Sequence, residues 1–244
     1  MIIWMRISTY GMSDTGKVRA QNEDAFLRDD AHRVYAVADG LGGLPEGARA
    51  SNLAILGLEE SLHEAGNGDC LDMAETFCRI NRRIHVEGRA LGGGLGMGTT
   101  LTVMRLVENT VRIAHIGDCA VLLIRDGVAT QLTADHTMAN EILARRKAGE
   151  AETHLPEYFF HTLTRCMGQH ASIEPDMICE GLQAGDRLLV CSDGISKILD
   201  ADDILSESRR AATPDEFVRR IIELANTLGG PDNATGVAVF VEAD

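Results

Sequence analysis

Two short apolar runs, residues 34–38 and 188–191, each stop at an acidic turn, Asp39-Gly40 in the first case and Ser192-Asp193-Gly194 in the second. Four or five apolar residues bounded by turn formers mark a buried strand. Residues 99–106, 111–116, 120–124 and 128–132 add a series of β-rich runs separated by turns. Asp126-Gly127 lies between the last two, and Asp-Gly is a strong hairpin signal because both residues tolerate positive φ. The series predicts an antiparallel meander, and residues 234–241 a final strand.

Helical spacing predicts one helix over 48–65, with Ala50, Leu53, Ala54, Leu56 and Leu58 near one face, and another over 71–90, with Met73, Phe77, Ile80 and Ile84. Thr213-Pro214-Asp215-Glu216 reads as a cap, a proline at the first helical position and an acidic first turn, opening a helix that ends before Gly229-Gly230. Long helices among hairpin-connected strands predict an α+β fold with antiparallel sheets. Between His136 and Gly168 the apolar rhythm weakens, which predicts a helix followed by a mobile flap.

The chain is acidic, with 37 Asp and Glu against 23 Lys and Arg and a formal net charge of -14, yet 45% of its residues are hydrophobic. That apolar fraction predicts a folded chain, and no linker-like stretch divides residues 1–244, so one domain is expected. The charge, without any basic cluster interleaved with aromatics, argues against nucleic acid as a partner. Apolar runs far shorter than the roughly 20 residues that span a bilayer argue against a membrane. Cys70, Cys78, Cys119, Cys166, Cys179 and Cys191 contain no C-x-x-C, which fits neither a zinc knuckle nor a disulfide framework and points to a reducing cytoplasm.

The informative feature is where the acids fall: Glu23-Asp24 before a strand, Asp39-Gly40 after one, Asp118 in a turn, Asp193-Gly194 after a strand, and Asp232-Asn233 before the last. Taken singly, such residues are ordinary turn and cap formers. If the strand ends pack side by side, however, two carboxylates about 5 Å apart at an effective dielectric near 20 repel by roughly 3 kcal/mol, so a cluster must protonate or hold cations. An oxygen-only shell suits Mg²⁺ or Mn²⁺ and offers nothing to select zinc.

Arg19-Ala20-Gln21-Asn22-Glu23-Asp24, Val37-Ala38-Asp39-Gly40-Leu41-Gly42-Gly43, Gly98-Thr99-Thr100-Leu101, His115-Ile116-Gly117-Asp118, Leu132-Thr133-Ala134-Asp135-His136, Cys191-Ser192-Asp193-Gly194 and Asp232-Asn233 occur in that order. Together they resemble the PPM (PP2C-like) metal-dependent protein serine/threonine phosphatases in their compact bacterial form, from about Ser8 to Phe240. The resemblance implies a four-layer αββα sandwich, two central antiparallel sheets flanked by helices, with a metal pair at one edge and a flap over 137–165. It implies that Asp39 bridges two Mn²⁺ or Mg²⁺ ions, one completed by Asp193 and Asp232, the other by the Gly40 carbonyl with Glu23 nearby. Asp24 would orient metal-bound water, and Arg19 would clamp the substrate phosphate through paired guanidinium donors. Asp118 with Asp193 matches the ligands of a third, weaker site.

The implied reaction is direct hydrolysis of phosphoserine and phosphothreonine in protein substrates by a metal-bridging water or hydroxide, with a serine/threonine kinase as the opposing partner. Some family members carry a histidine directly after the Asp-Gly pair or after Gly-Gly; here those positions are Leu41 and Leu44. His136 is the nearest candidate general acid by motif, although a turn histidine is usually structural and metal-bound water is the preferred donor. A non-catalytic phosphoprotein-binding or metal-sensing module on the same fold is the alternative, disfavoured by the intact Arg19, Asp39, Asp193 and Asp232.

Two other signatures fail. Cys119 and Arg125 fit C-x5-R, but the residues between them form an apolar run with no glycines to wrap a phosphate. The glycines at 92–94, 96 and 98 precede a strand and yield no G-x-G-x-x-G.

Overall fold

The computed structural model describes residues 5–44, 46–66, 71–91, 96–145 and 155–242. Among these, ten strands form two five-stranded sheets. The first sheet runs β1 (Ile7–Asp14), β10 (Ala234–Val241), β9 (Arg187–Cys191), β6 (Ala120–Arg125), β7 (Val128–Gln131). The second runs β2 (Asp24–Asp29), β3 (Val34–Asp39), β4 (Leu101–Val107), β5 (Thr110–Ile116), β8 (Asp176–Gly181). All neighbouring strands are antiparallel.

The continuous apolar runs are explained by burial on both strand faces. In β3, Val34, Ala36 and Ala38 point to a core shared with α1 (Gly47–Ala65) and α2 (Met73–Ala90), while Tyr35 and Val37 point between the sheets. In β9, Leu189 and Cys191 face a core shared with α6 (Pro214–Thr227), while Leu188 and Val190 meet the opposite sheet. The four-residue α4 (Asp193–Ser196) and α5 (Ala201–Arg210) pack on that same outer face. Three apolar layers thus separate four structural ones, and the αββα sandwich expected from the sequence is present.

The expected single meander is not. β5 and β6 are consecutive in the chain but belong to different sheets. The series is two hairpins, β4–β5 and β6–β7, joined by a crossing at residues 117–119. Gly117 makes the crossing possible: its φ is +114°, and a Cβ there would stand 2.4 Å from the Thr100 Cγ2. The β6–β7 hairpin does turn at Asp126 and Gly127, with φ of 50° and 78°.

The C-terminal helix opens as its sequence implies, with Thr213 accepting from the Glu216 amide and Pro214 at the first position. Between His136 and Gly168 the chain forms α3 (Met138–Arg145) and a 3₁₀ turn (Glu157–Phe160) packed against it. The centre of the expected flap, 146–154, lies outside the described residues, as do Cys70 and the glycines at 92–94. No helix among the described residues is long and apolar enough to cross a membrane.

Candidate metal centre

Antiparallel register gathers the acids at one edge of the sandwich. β2 begins at Asp24 and β3 ends at Asp39, and these two residues face each other across the ladder. On the other sheet Ala120 pairs with Cys191, so Asp118, two residues before one, and Asp193, two residues after the other, emerge side by side. Cys191 also pairs with Gly236 of β10, which brings in Asp232 from the turn before that strand. One cavity of about 590 Å³ is lined by Arg19, Glu23, Asp39, Gly40, Asp118, Asp193 and Asp232. Those seven are the phosphate-binding and metal-binding residues expected from the sequence.

The backbone around them is pinned. The Asp39 amide donates to Thr100 Oγ1 (2.8 Å), and its carbonyl accepts from the Thr99 hydroxyl (2.8 Å) and the Thr100 amide (2.8 Å). This explains why Gly98-Thr99-Thr100 accompanies the acidic turns. Asn233 joins the two sheets: its Oδ1 accepts from the Glu23 amide (2.8 Å), and its Nδ2 donates to the carbonyls of Thr15 (2.8 Å) and Gln21 (3.0 Å).

Asp24 sits behind the cavity wall. One of its oxygens accepts from Ser192 Oγ (2.8 Å) and Thr235 Oγ1 (2.6 Å); the other, Oδ1, is buried with no hydrogen-bond partner. Burial raises its pKa to about 6 against the pull of those two hydroxyls, with Asp193 and Asp232 adding to the rise. Burial also lifts Asp118 to about 6, with Asp193 raising it and Lys197 opposing. Asp39 keeps some surface on the cavity, yet enclosure by protein and then the charges of Asp24, Asp193, Asp118 and Asp232 push it well above the carboxylate range.

Cations are few here. Arg19 Nη2 lies 2.7 Å from Asp232 Oδ2, and Lys197 Nζ bonds both Asp118 and Asp193, the latter at 2.9 Å. Asp39 has no ion pair among the described residues. No three Asp, Glu, His or Cys side chains among those residues stand close enough to form a ready-made ion cage. The donor set nonetheless fits hard divalent ions: the groups are oxygens, Asp39 lacks an ion pair among the described residues, and Asp24 keeps a buried oxygen free.

The pKa shifts have a thermodynamic consequence with a definite sign. A carboxyl raised in the folded state binds more protons there than when unfolded, so its stabilising contribution is present below about pH 4 and lost as pH rises to about 6. For Asp24 and Asp118 the direction is the same: above that range each is ionised in surroundings that oppose its charge. Asp39, raised in the same direction by enclosure and then by its carboxylate neighbours, is the group an ion would neutralise, so saturating Mn²⁺ is expected to raise the melting temperature, relative to EDTA, more at pH 7.5 than at pH 5. Scanning fluorimetry at both pH values checks this, and an equal or smaller shift at pH 7.5 would count against ion binding here.

His136 lies elsewhere. Its Nδ1 accepts from the Gly117 amide (3.0 Å), and its Nε2 lies 3.0 Å from Asp176 Oδ2 and 2.8 Å from Arg165 Nη1. Both ring nitrogens are thus engaged, and the ring does not line the cavity. The histidine that does is His161, which carries no motif in the sequence. Lys197 is equally silent, being one lysine in a short amphipathic stretch. Cys119 is buried against Thr100, and Arg125 forms an ion pair with Asp186, so the C-x5-R pair makes no phosphate loop.

Comparison with known proteins agrees with this geometry. The family model for Protein phosphatase 2C matches residues 16–241. The chain is 36% identical over 231 residues to the serine/threonine protein phosphatase PstP of Mycobacterium tuberculosis, covering 94% of this chain and 44% of that protein. It thus spans less than half of that relative's length. Protein phosphatase PhpP of Streptococcus pneumoniae is 32% identical over 249 residues, covering 96% of this chain and 97% of PhpP. A crystal structure of the PstP catalytic domain in complex with two manganese ions superposes with a TM-score of 0.82 at 34% identity, covering 97% and 99% of the two chains. Since the family model takes in every element that carries a cavity carboxylate, this chain belongs to the protein phosphatase 2C family.

Proposed function

We infer that the chain is a metal-dependent protein phosphatase that hydrolyses phosphoserine and phosphothreonine monoesters, acting as a single domain in the cytoplasm opposite a serine/threonine kinase. The observation that carries this reading is the convergence of Asp39, Asp118, Asp193 and Asp232 with Arg19 on one cavity. The names of PstP and PhpP and the manganese ions of the PstP catalytic domain support it.

Asp39, Asp193 and Asp232, the Gly40 carbonyl and Glu23 are the residues that would hold Mn²⁺ or Mg²⁺. When bound, such ions neutralise charge on phosphoryl oxygens and acidify the water that attacks phosphorus. The protein's own part is positioning. Arg19, held at the cavity by Asp232, carries the two parallel N–H donors that would clamp a substrate phosphate. Asp24 keeps Oδ1 free to accept a hydrogen bond, steadied by Ser192 and Thr235. The bonds of His136 to the Gly117 amide and to Asp176 support a role in holding the crossing at Gly117. His161, within the stretch that the resemblance marks as a flap, lines the cavity.

Purified protein assayed on p-nitrophenyl phosphate and on a phosphothreonine peptide, with Mn²⁺ or EDTA, tests the proposal. Turnover of both substrates that EDTA abolishes is the expected result. Tight Mn²⁺ binding with no turnover of either would leave the non-catalytic module instead.

A further inference from the structure

Asp118 and Asp193 share a cation, and it belongs to the protein. Lys197 is the residue that ends α4, four positions beyond Asp193, and its amide donates to the Asp193 carbonyl (2.9 Å), so the helical turn fixes its approach. Its ammonium bonds Asp118 Oδ2 and Asp193 Oδ2. The three side chains are largely enclosed, with 16%, 5% and 18% exposure for Lys197, Asp118 and Asp193. Asp135 also acts on this group, while its own Oδ1 accepts from Gln131 (2.8 Å). An ammonium has three donors in a compact volume, so it fills a gap between two carboxylates much as a small ion would.

We propose that Lys197 is a built-in replacement for a third divalent ion, so that the centre of this chain takes two ions and no more. The inference rests on the metal-centre reading above and goes beyond it by assigning Asp118 to the lysine instead of to a metal. Two consequences follow from charge. A divalent ion placed between Asp118 and Asp193 would meet the ammonium that already bonds both carboxylates and that cannot leave without breaking two largely enclosed ion pairs. Lys197 also holds Asp193 Oδ2, one of the two oxygens of a residue that lines the cavity.

The test is the number of Mn²⁺ ions bound per chain, measured by calorimetric titration and by elemental analysis after gel filtration in millimolar Mn²⁺. Wild type is expected to bind two, Asp118→Asn also two, and Lys197→Asp three, the added step being the weakest. Three ions in wild type falling to two in Asp118→Asn would overturn the proposal while leaving the phosphatase reading intact. Two ions in a folded Lys197→Asp would overturn it as well, because the lysine would then not be what keeps the ion out. Should Lys197→Asp fail to fold, the wild-type and Asp118→Asn counts still decide between the two assignments. Fewer than two ions in wild type would reject the metal-centre reading itself, and this inference with it.

Discussion

Asp39→Asn is expected to lower Mn²⁺-dependent hydrolysis of p-nitrophenyl phosphate by about 10³-fold or more and, at the same time, to raise the melting temperature of the metal-free protein near neutral pH. The two effects have one cause. Asp39 is a carboxylate kept among four others, with no ion pair among the described residues, and its proton affinity is raised first by enclosure and then by Asp24, Asp193, Asp118 and Asp232. Without a divalent ion that charge is a liability, and replacing it with an isosteric amide removes the repulsion without opening a cavity. With ions present the same charge holds them, and losing a ligand central to the site forfeits several kcal/mol of transition-state stabilisation, where about 4 kcal/mol is 10³-fold. The Asp39 amide and carbonyl are bonded to Thr99 and Thr100, so the substitution should leave the backbone in place. Steady-state rates and melting curves in EDTA check both halves. A rate within tenfold of wild type would remove Asp39 from the centre of the site, and a large fall in stability would show that the charge is already compensated.

The parts of this molecule that can be read from its sequence are those whose local chemistry and tertiary role coincide. β3 and β9 are buried on both faces, so they read as unbroken apolar runs, and the acids at their ends stand out against them. The β6–β7 turn is legible because Asp126 and Gly127 both need positive φ. Edge strands are harder. β1, with the sequence Ile-Ser-Thr-Tyr-Gly-Met-Ser-Asp, is half-buried throughout, and β8 alternates between half-buried and exposed residues, so neither carries a strong apolar signal. α5 is polar along most of its length and is secured by a reciprocal cap between Asp200 and Asp203, a pattern that also suits a surface turn.

Sheet membership is not legible at all between β5 and β6, because the crossing depends on one glycine packed against Thr100 and not on any periodicity. The site follows the same division. Carboxylates at strand ends are visible, but the cation that answers two of them is not: Lys197 reaches Asp118 only through the pairing of β6 with β9, a contact between residues 79 positions apart. Likewise His136 resembles a candidate acid in its motif, and only the positions of Gly117, Arg165 and Asp176 show both of its nitrogens to be engaged.

Gly194→Ala is the substitution expected to damage stability and the site together. The φ of Gly194 is not in the left-handed region, so the penalty comes from lack of space alone. A Cβ on this residue would lie 2.0 Å from the Asn233 carbonyl oxygen and 2.9 Å from its carbon. Both are backbone atoms, which cannot rotate aside as a side-chain end could. Nor can the Asn233 segment drift freely, since the Asn233 side chain is bonded to Thr15, Gln21 and Glu23 on the far side of the contact. Relief must come from prising the start of α4 away from the turn before β10, which separates Asp193 from Asp232. The expected cost is about 3 kcal/mol or more, at the upper end for overpacking, together with a loss of Mn²⁺ affinity. Gly181→Ala is the matched control: a Cβ there would have nothing within 4 Å and its φ is not left-handed, so a change within about 0.5 kcal/mol is expected. Urea denaturation of both variants in EDTA, followed by Mn²⁺ titration, separates the two effects. A Gly194→Ala midpoint equal to that of Gly181→Ala would mean that the two acidic turns are not held in contact, and the geometry that gathers the carboxylates would fall with it.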